Sequence, residues 1–337
     1  MHRLLSILIL FCLFCTARAE TQRVLFIGNS YTYCNNLPGI VQAMADATDS
    51  DMEVDAYTAG AMSLRGFLNT PRHAKAAQKL AEGGYDWVVL QDQSQTPASN
   101  PADTLDSVKR WCQLARKSNT KVLLFITWAH ADNTTGKLRL QTSMQDDTTH
   151  TYCRAATENK IAAAPVGEAW RRWYRKYPTR ILHTQDLSHP NAEGSYLAAC
   201  VLFSSLTSTP AAKIPARLRN LKLPIATGRV RELQKCADSL QKFSPKKWLQ
   251  QYEEKDAARP TAAEARAILT RGMSIEQLSS KLGKPTSSQK TGNQSTYQFR
   301  LQNKAELTAY CNKNGVVENV SILSPKSGVI ILDLSEL

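Results

Sequence analysis

Five short apolar runs, each separated from the next by a stretch with helical spacing, constrain this chain more than any other feature. The runs fall at 24–27, 54–57, 87–90, 122–127 and 162–166. Near-continuous apolar runs of this length read as strands buried on both faces, because a strand with one wet face alternates apolar with polar residues. Between them, 37–47, 73–80 and 105–115 repeat apolar residues every three or four positions, the period of one helix face. This alternation predicts an α/β domain, a doubly wound parallel sheet covered by helices on both sides. Such sheets bind ligands beyond the carboxyl ends of their strands, so the segments just after each run are where chemistry is expected. The apolar stretch at 196–206 is too short to span a bilayer and reads as a buried helix.

The pattern breaks at 208–224, where Pro210, Pro215 and Pro224 fall among basic residues. Residues 228–249 read as one basic amphipathic helix and 253–260 as a charged linker. From 261 onward come two short helical patterns and then strand-like runs at 296–300, 307–312, 316–323 and 329–332, an α+β pattern. With 337 residues, two domains are the natural expectation. The boundaries expected are 1–19 for a signal peptide, 20–210 for the α/β domain, 211–260 for a helical linker region and 261–337 for a small α+β domain.

At the amino end, Arg3 precedes an apolar run at 4–14, and Ala17-Arg18-Ala19 is a small-x-small cleavage site. These are the parts of a secretory signal, with the mature chain starting at Glu20 and residing in the periplasm or outside the cell. Cys12 and Cys15 each follow a phenylalanine, which disfavours a lipoprotein reading. No other segment is long and apolar enough for a membrane helix. The formal charge of +13 favours anionic partners such as acidic polysaccharide, a membrane surface or nucleic acid. Nothing matches a nucleic-acid-binding module, and export argues against that partner. The even number of cysteines outside the signal (Cys34, Cys112, Cys153, Cys200, Cys236, Cys311) allows disulfides in an exported chain. Cys112 and Cys200 lie in apolar helical patterns and read as buried free thiols. There is no Cys-x-x-Cys and no His-Glu-x-x-His, and His73, His130, His150 and His183 lack metal-ligand spacing, so no metal and no cofactor is expected.

Two segments carry chemistry. Gly28-Asn29-Ser30 stands at the end of the first strand, ahead of a helix, where a serine is presented for reaction; the same three residues also make an ordinary turn and cap. Asp186-Leu187-Ser188-His189 follows the last strand of the sheet. A carboxylate three residues before a histidine can fix the imidazole tautomer while the imidazole takes a serine's proton. Taken alone, the pair also fits a structural turn.

Together these segments resemble the SGNH/GDSL hydrolase superfamily, over about residues 23–210. The resemblance extends to the Val88-Val89-Leu90-Gln91-Asp92-Gln93-Ser94 block and to Ser188-His189-Pro190 with Gly194-Ser195-Tyr196 beyond it. It implies a flavodoxin-like three-layer α/β/α fold, with Ser30 as nucleophile, His189 as general base and then acid, and Asp186 as the orienting carboxylate. It further implies an oxyanion hole from the backbone N–H of Ser30, the N–H of Gly60 and the side chain of Gln93, which stands where the superfamily usually has asparagine. Asn29 replaces the commoner aspartate at a position that is usually structural.

The remaining candidates are plainer. Trp128 and His130 follow the fourth strand and either line the pocket or pack in a loop. Asp146 and Asp147 read as a solvated pair, and Met144 and Gln145 border the pocket by position alone. The segment from Trp170 to Tyr177 reads as an amphipathic helix with packed rings; the alternative is a surface for acidic glycans. Asn133-Thr134-Thr135, Asn293-Gln294-Ser295 and Asn319-Val320-Ser321 fit glycosylation sequons, which matter only in a eukaryotic host; the resemblance points to bacteria. In the last unit Ser274 and Gln277 form a capping box, Gly283 ends that helix and Asn314-Gly315 makes a turn. Residues 262–324 resemble the small α+β domain of outer-membrane assembly lipoproteins of the small-protein-A type. That likeness implies a binding or scaffolding role and a partner in the cell envelope.

The function expected is therefore an exported serine esterase, acting on O-acetyl groups of carbohydrate, with an acidic glycan suited to the charge. The alternatives are a lipid or aryl esterase, or an inactive scaffold at the envelope. The presence of Ser30, Asp186 and His189 together favours the enzyme.

Overall fold

The five apolar runs pair as one parallel sheet in a computed structural model, which describes residues 21–132, 138–218, 221, 223–325 and 328–334. The expected signal segment and Asn133-Thr134-Thr135 lie outside the described residues. The strands are β1 (Gln22–Gly28), β2 (Met52–Thr58), β3 (Trp87–Leu90) and β4 (Lys121–Phe125), with β5 (Ala131–Asp132) and β6 (Arg139–Leu140) forming a separate ribbon, and β7 (Ala162–Ala164). The order in the sheet is β2-β1-β3-β4-β7, and every neighbouring pair is parallel. This is the flavodoxin-like order, whose direction of winding reverses between β1 and β3.

Successive side chains of these strands enter two different cores. Val24, Phe26, Val89, Leu123 and Phe125 face one, with the helices Leu37–Asp46, Val166–Lys176 and Ala192–Thr207. Leu25, Ile27, Val88, Leu90, Val122 and Leu124 face the other, with the helices Pro101–Lys117 and Thr142–Asn159. Burial on both faces is why the strands carry no polar alternation. Strand β7 stops at Ala164, because Pro165 has no N–H for the ladder.

The helix expected across 228–249 is two helices, Thr227–Asp238 and Pro245–Ala257. Pro245 cannot continue a helix but suits a first turn, and the Ser244 hydroxyl accepts from Lys247 N–H to start the second. The charged stretch at 253–260 is likewise no free linker, since its first half completes that helix. Val230, Leu233 and Ala237 join the first core, while Phe243, Trp248 and Leu249 pack on the second.

The last unit places the helices Ala262–Ala267 and Ile275–Leu282 before a five-stranded antiparallel meander: β8 (Ser287–Thr291), β9 (Gln294–Arg300), β10 (Glu306–Cys311), β11 (Val317–Ser324) and β12 (Gly328–Asp333). The capping box of Ser274 and Gln277 is formed, Gly283 caps the helix at φ 84°, and Gly315 turns the chain between β10 and β11. Strand β8 escapes the sequence pattern because it is polar throughout; its one signal is the Gly292-Asn293 hairpin turn into β9. Phe299, Leu307, Ala309, Cys311, Val320 and Ile322 fill a third core beneath one face.

Asp146 and Asp147 are not the solvated pair expected. Both are buried, on the inward face of the Thr142–Asn159 helix. Arg171 Nη1 meets Asp146 at 2.7 Å, and Arg300 Nη2, from β9, meets Asp147 at 2.6 Å. Arg300 also reaches Glu306 at 3.2 Å. Buried carboxylates need such partners, and here the pairing joins the meander to the α/β layer.

Candidate active site

Ser30 follows β1 and Gln93 follows β3, so the point where the sheet reverses its winding lies between them. The β1 turn is tight: a Cβ on Gly28 would sit 2.2 Å from Thr32 Oγ1 and 2.6 Å from Gln91 Oε1. The fully buried Gln91 fills that space, its Oε1 accepting from Asn29 N–H (2.9 Å) and Thr32 Oγ1 (2.8 Å). Asn29 is structural: its Oδ1 accepts from Tyr31 N–H and Gln91 Nε2, and its Nδ2 donates to Met62 O at 3.0 Å. That last bond, with Ala59 N–H to Gly28 O (3.1 Å), ties the loop carrying Gly60 beside Ser30.

Asp186 and His189 sit on a turn closed by a bridge between His183 and Pro190. Leu187 adopts a left-handed conformation there (φ 58°), a cost of roughly 1 kcal/mol held by the surrounding bonds. Asp186 Oδ1 accepts from Ser188 N–H, His189 N–H and the Thr184 hydroxyl, at 2.9, 2.9 and 2.7 Å. Its Oδ2 lies 2.5 Å from His189 Nδ1, and His189 Nε2 lies 2.9 Å from Ser30 Oγ. Ser30, His189 and Asp186 thus form one chain of hydrogen bonds across 159 residues of sequence. Desolvation works against the Asp186 anion, but the bonds from His189, Ser188 and Thr184 outweigh it and hold the carboxyl well below the usual range.

An aromatic stack supports this turn from below. Trp128 lies between Tyr31 (centroids 4.5 Å apart) and Trp170 (4.0 Å), and its Nε1 donates to Ser188 O at 2.9 Å. Trp128 is fully buried, so it supports the turn rather than lining a pocket. Tyr31 OH bonds Ser188 Oγ at 2.8 Å, and its ring meets His189 edge-on. Burial pushes the Tyr31 phenol up to about 12, so it stays protonated at neutral pH. Tyr31, Ser188 and Trp170 were not singled out from sequence for this role; no local signal marks residues whose partners are this distant.

Gln93 is held at both ends. Its N–H donates to Asp92 Oδ1 (2.8 Å), and its Oε1 accepts from Gln95 N–H (2.7 Å) and Thr96 N–H (3.1 Å). With the carbonyl committed to the Thr96–Ser99 helix start, the Nε2 donates to Ser94 Oγ at 3.3 Å. Asp92 is fully buried and accepts from Leu64 N–H, Gln93 N–H and the Thr104 hydroxyl; burial raises its pKa. The run Gln91-Asp92-Gln93 immediately after an apolar strand was the available signal for these supporting residues.

Other candidates fall elsewhere. Gln145 is fully buried and bonds Ala129 N–H (2.7 Å) and Thr127 O (3.1 Å). Trp170, Trp173 and Tyr174 lie in the first core, so these rings offer no surface for acidic glycans. His183 is a core histidine between Tyr174 OH and Ala129 O. The six cysteines from Cys34 to Cys311 are free thiols. Among the described residues, no group of three or more His, Cys, Asp or Glu is placed to hold a metal, and no helix is long and apolar enough to cross a membrane.

A cleft of about 760 Å³ opens between the α/β layer and the meander; Ser30, Asp186 and His189 are not among its lining residues. His130, Met144 and Gln95 line one side of it, and Gln298, Thr308 and Tyr310 the other. Leu187 O, within the Asp186–His189 turn, accepts from Ala131 N–H at 2.8 Å, and the neighbours of Ala131, His130 and Asp132, both line the cleft.

No protein family's sequence profile matches the chain, and no curated protein matches it. Among solved structures the chain is similar to a candidate SGNH hydrolase from Slackia heliotrinireducens, at 25% identity and a TM-score of 0.49 over 56% of this chain and 100% of that one. It is similar to a DUF4886 family protein from Bacteroides uniformis, at 20% identity and a TM-score of 0.49 over 66% of this chain and 95% of the other. It is also similar to the acetyl xylan esterase AlAXEase, at 17% identity and a TM-score of 0.46 over 55% of this chain and 99% of that one.

Proposed function

We propose that this protein is a serine hydrolase of ester bonds, of the SGNH type, and that it removes O-acetyl groups from carbohydrate. The observation that carries the reading is the hydrogen-bonded chain from Ser30 Oγ through His189 to Asp186. Ser30 Oγ attacks the ester carbonyl while His189 Nε2 takes its proton, and the imidazolium returns that proton to the leaving alcohol. Water then attacks the acyl-serine by the same relay. Asp186 stays ionised, fixes the tautomer with Nδ1 protonated and stabilises the imidazolium. The N–H groups of Ser30 and Gly60 and the Nε2 of Gln93 receive the oxyanion. Anchoring of the Gln93 carbonyl supports this role, because it turns the amide group away from the helix start. The polar lining of the adjacent cleft favours a hydroxyl-bearing alcohol over a lipid. The apolar run at 4–14 and the Ala17-Arg18-Ala19 site support export.

The reading is tested with 4-nitrophenyl acetate, comparing the protein with its Ser30→Ala variant. Hydrolysis that vanishes in the variant supports it. A folded protein that cleaves neither this ester nor acetylated oligosaccharides overturns it.

A further inference from the structure

We infer that the outer face of the C-terminal meander is the substrate-binding wall of the hydrolase, and that it takes a neutral, hydroxyl-rich oligosaccharide whose acetyl group reaches Ser30; the inference rests on the esterase reading for that last step. The meander is apolar beneath; above, its β8–β10 part is polar, while β11 and β12 expose Leu323, Val329 and Ile331 on the same face. On the polar part the register lines up two rungs across three strands. Ser287, Gln298 and Thr308 form one, and Gln289, Thr296 and Tyr310 the other. All six line the cleft, which connects to the Asp186–His189 turn through the loop of His130, Ala131 and Asp132. Two consecutive rungs are roughly 7 Å apart along a strand, so they present hydroxyls and amides in a regular array. Tyr310 is 42% exposed, unusual for a large ring, and offers an apolar face for the C–H side of a pyranose.

Charge selects the ligand class. Among the described residues lining the cleft there is no lysine or arginine. Its acids are matched: Asp132 meets Arg139 at 2.9 Å, and Asp147 and Glu306 share Arg300. A site for an acidic glycan would turn a guanidinium or ammonium group into the cleft. The positive balance of the whole chain therefore does not describe these lining residues.

The wall is also fixed in place. Arg300 is on β9, the strand that contributes Thr296 and Gln298, and its buried contact with Asp147 locks that strand to the Thr142–Asn159 helix. Thr142, Ser143 and Met144, at the start of the same helix, form part of the opposite wall. Lys304 adds a second cation on Asp147 at 3.4 Å, and Asn303 N–H donates to Asp256 at 2.9 Å, so several polar contacts hold the two walls together.

Two measurements on the full chain test this. The first is the ratio of kcat/KM for O-acetylated xylo-oligosaccharides to that for 4-nitrophenyl acetate. Tyr310→Ala and, separately, Gln289→Ala, both exposed positions, are expected to lower this ratio at least tenfold and fivefold, mainly through KM. The second is calorimetric titration of xylo-oligosaccharide into the Ser30→Ala protein, where Tyr310→Ala is expected to weaken Kd at least tenfold. Equal ratios in variants and parent, no binding at millimolar ligand, or preference for an acetylated polygalacturonate fragment over the neutral oligosaccharide would each overturn the inference. Failure of the esterase reading looks different: oligosaccharide binding that depends on Tyr310, with no ester cleaved.

Discussion

The two sheets of this protein solve the same problem in opposite ways. The parallel sheet is covered on both faces, so its strands have no surface left for a ligand, and the hydrogen-bonded Ser30 and His189 stand past the end of β1 and on the turn after the last crossover. The antiparallel meander packs its core on one face only, and its other face carries polar rungs in register on β8, β9 and β10 beside exposed apolar residues on β11 and β12. The first arrangement positions a few reacting groups by packing around them. The second offers many weak contacts over a broad area. The described lining of the cleft comes from the meander and from helices and loops around the α/β layer, not from the strands of the parallel sheet.

The sharpest way to break this division of labour is Ser30→Ala, which is expected to cut ester hydrolysis by about 10⁴-fold or more, measured by release of 4-nitrophenol. Asp186→Asn should lose roughly 10³–10⁴-fold in kcat, because the amide leaves the imidazole in the wrong tautomer. Next comes the joint between the sheets. Arg300→Met leaves Asp147 buried without its closest cation and should cost about 3–5 kcal/mol in denaturant unfolding, most of it recovered in the Arg300→Met/Asp147→Leu double variant. A single loss that the double variant does not recover would show that packing, not the charge pair, holds the meander. Gln93→Ala should lower kcat by about 10²–10³-fold with little change in KM if its amide receives the oxyanion. An unchanged kcat would leave the hole to backbone donors.

The smallest effect is read from acid titration. Burial lowers the His183 pKa to about 4, against 6.5 when free. Below pH 6.5 the unfolded chain takes up a proton that the folded chain refuses, so this stability is complete above 6.5 and is lost as pH falls toward 4. The slope is at most about 1.4 kcal/mol per pH unit for this one group. His183→Gln should flatten the pH dependence of the denaturation midpoint in that window by one proton's share. His150, also lowered to about 4 by burial, adds a second.

How much of this was legible from sequence differs between the two sheets for a physical reason. Strand β3 occupies Trp87–Leu90 as its apolar run predicts, and β1, β2 and β4 differ from expectation by only a few terminal residues. A strand buried on both faces writes its burial into every position. Strand β8 was invisible because an edge strand with little buried area needs no apolar pattern. The amphipathic spacing of 228–249 continues through Pro245, where the helical backbone does not, so one periodic stretch holds two helices. The burial of Asp146 and Asp147 has no local signal, because the cations that neutralise them, Arg171, Arg259, Arg300 and Lys304, lie 25 or more residues away.

The sequence by itself determined the layers of the α/β domain, the order in which strands and helices follow one another, and the residue types of Ser30, Asp186 and His189. These depend on periodicity and on local chain chemistry, which a linear text carries. Only the tertiary structure decided that Ser30 and His189 lie 2.9 Å apart, that Tyr31, Trp128 and Trp170 stack beneath the turn, and that the meander's polar rungs turn toward the cleft. Those are contacts between segments far apart in the chain. They are fixed by the packing of whole elements and by where buried charges find partners, and no local pattern encodes either.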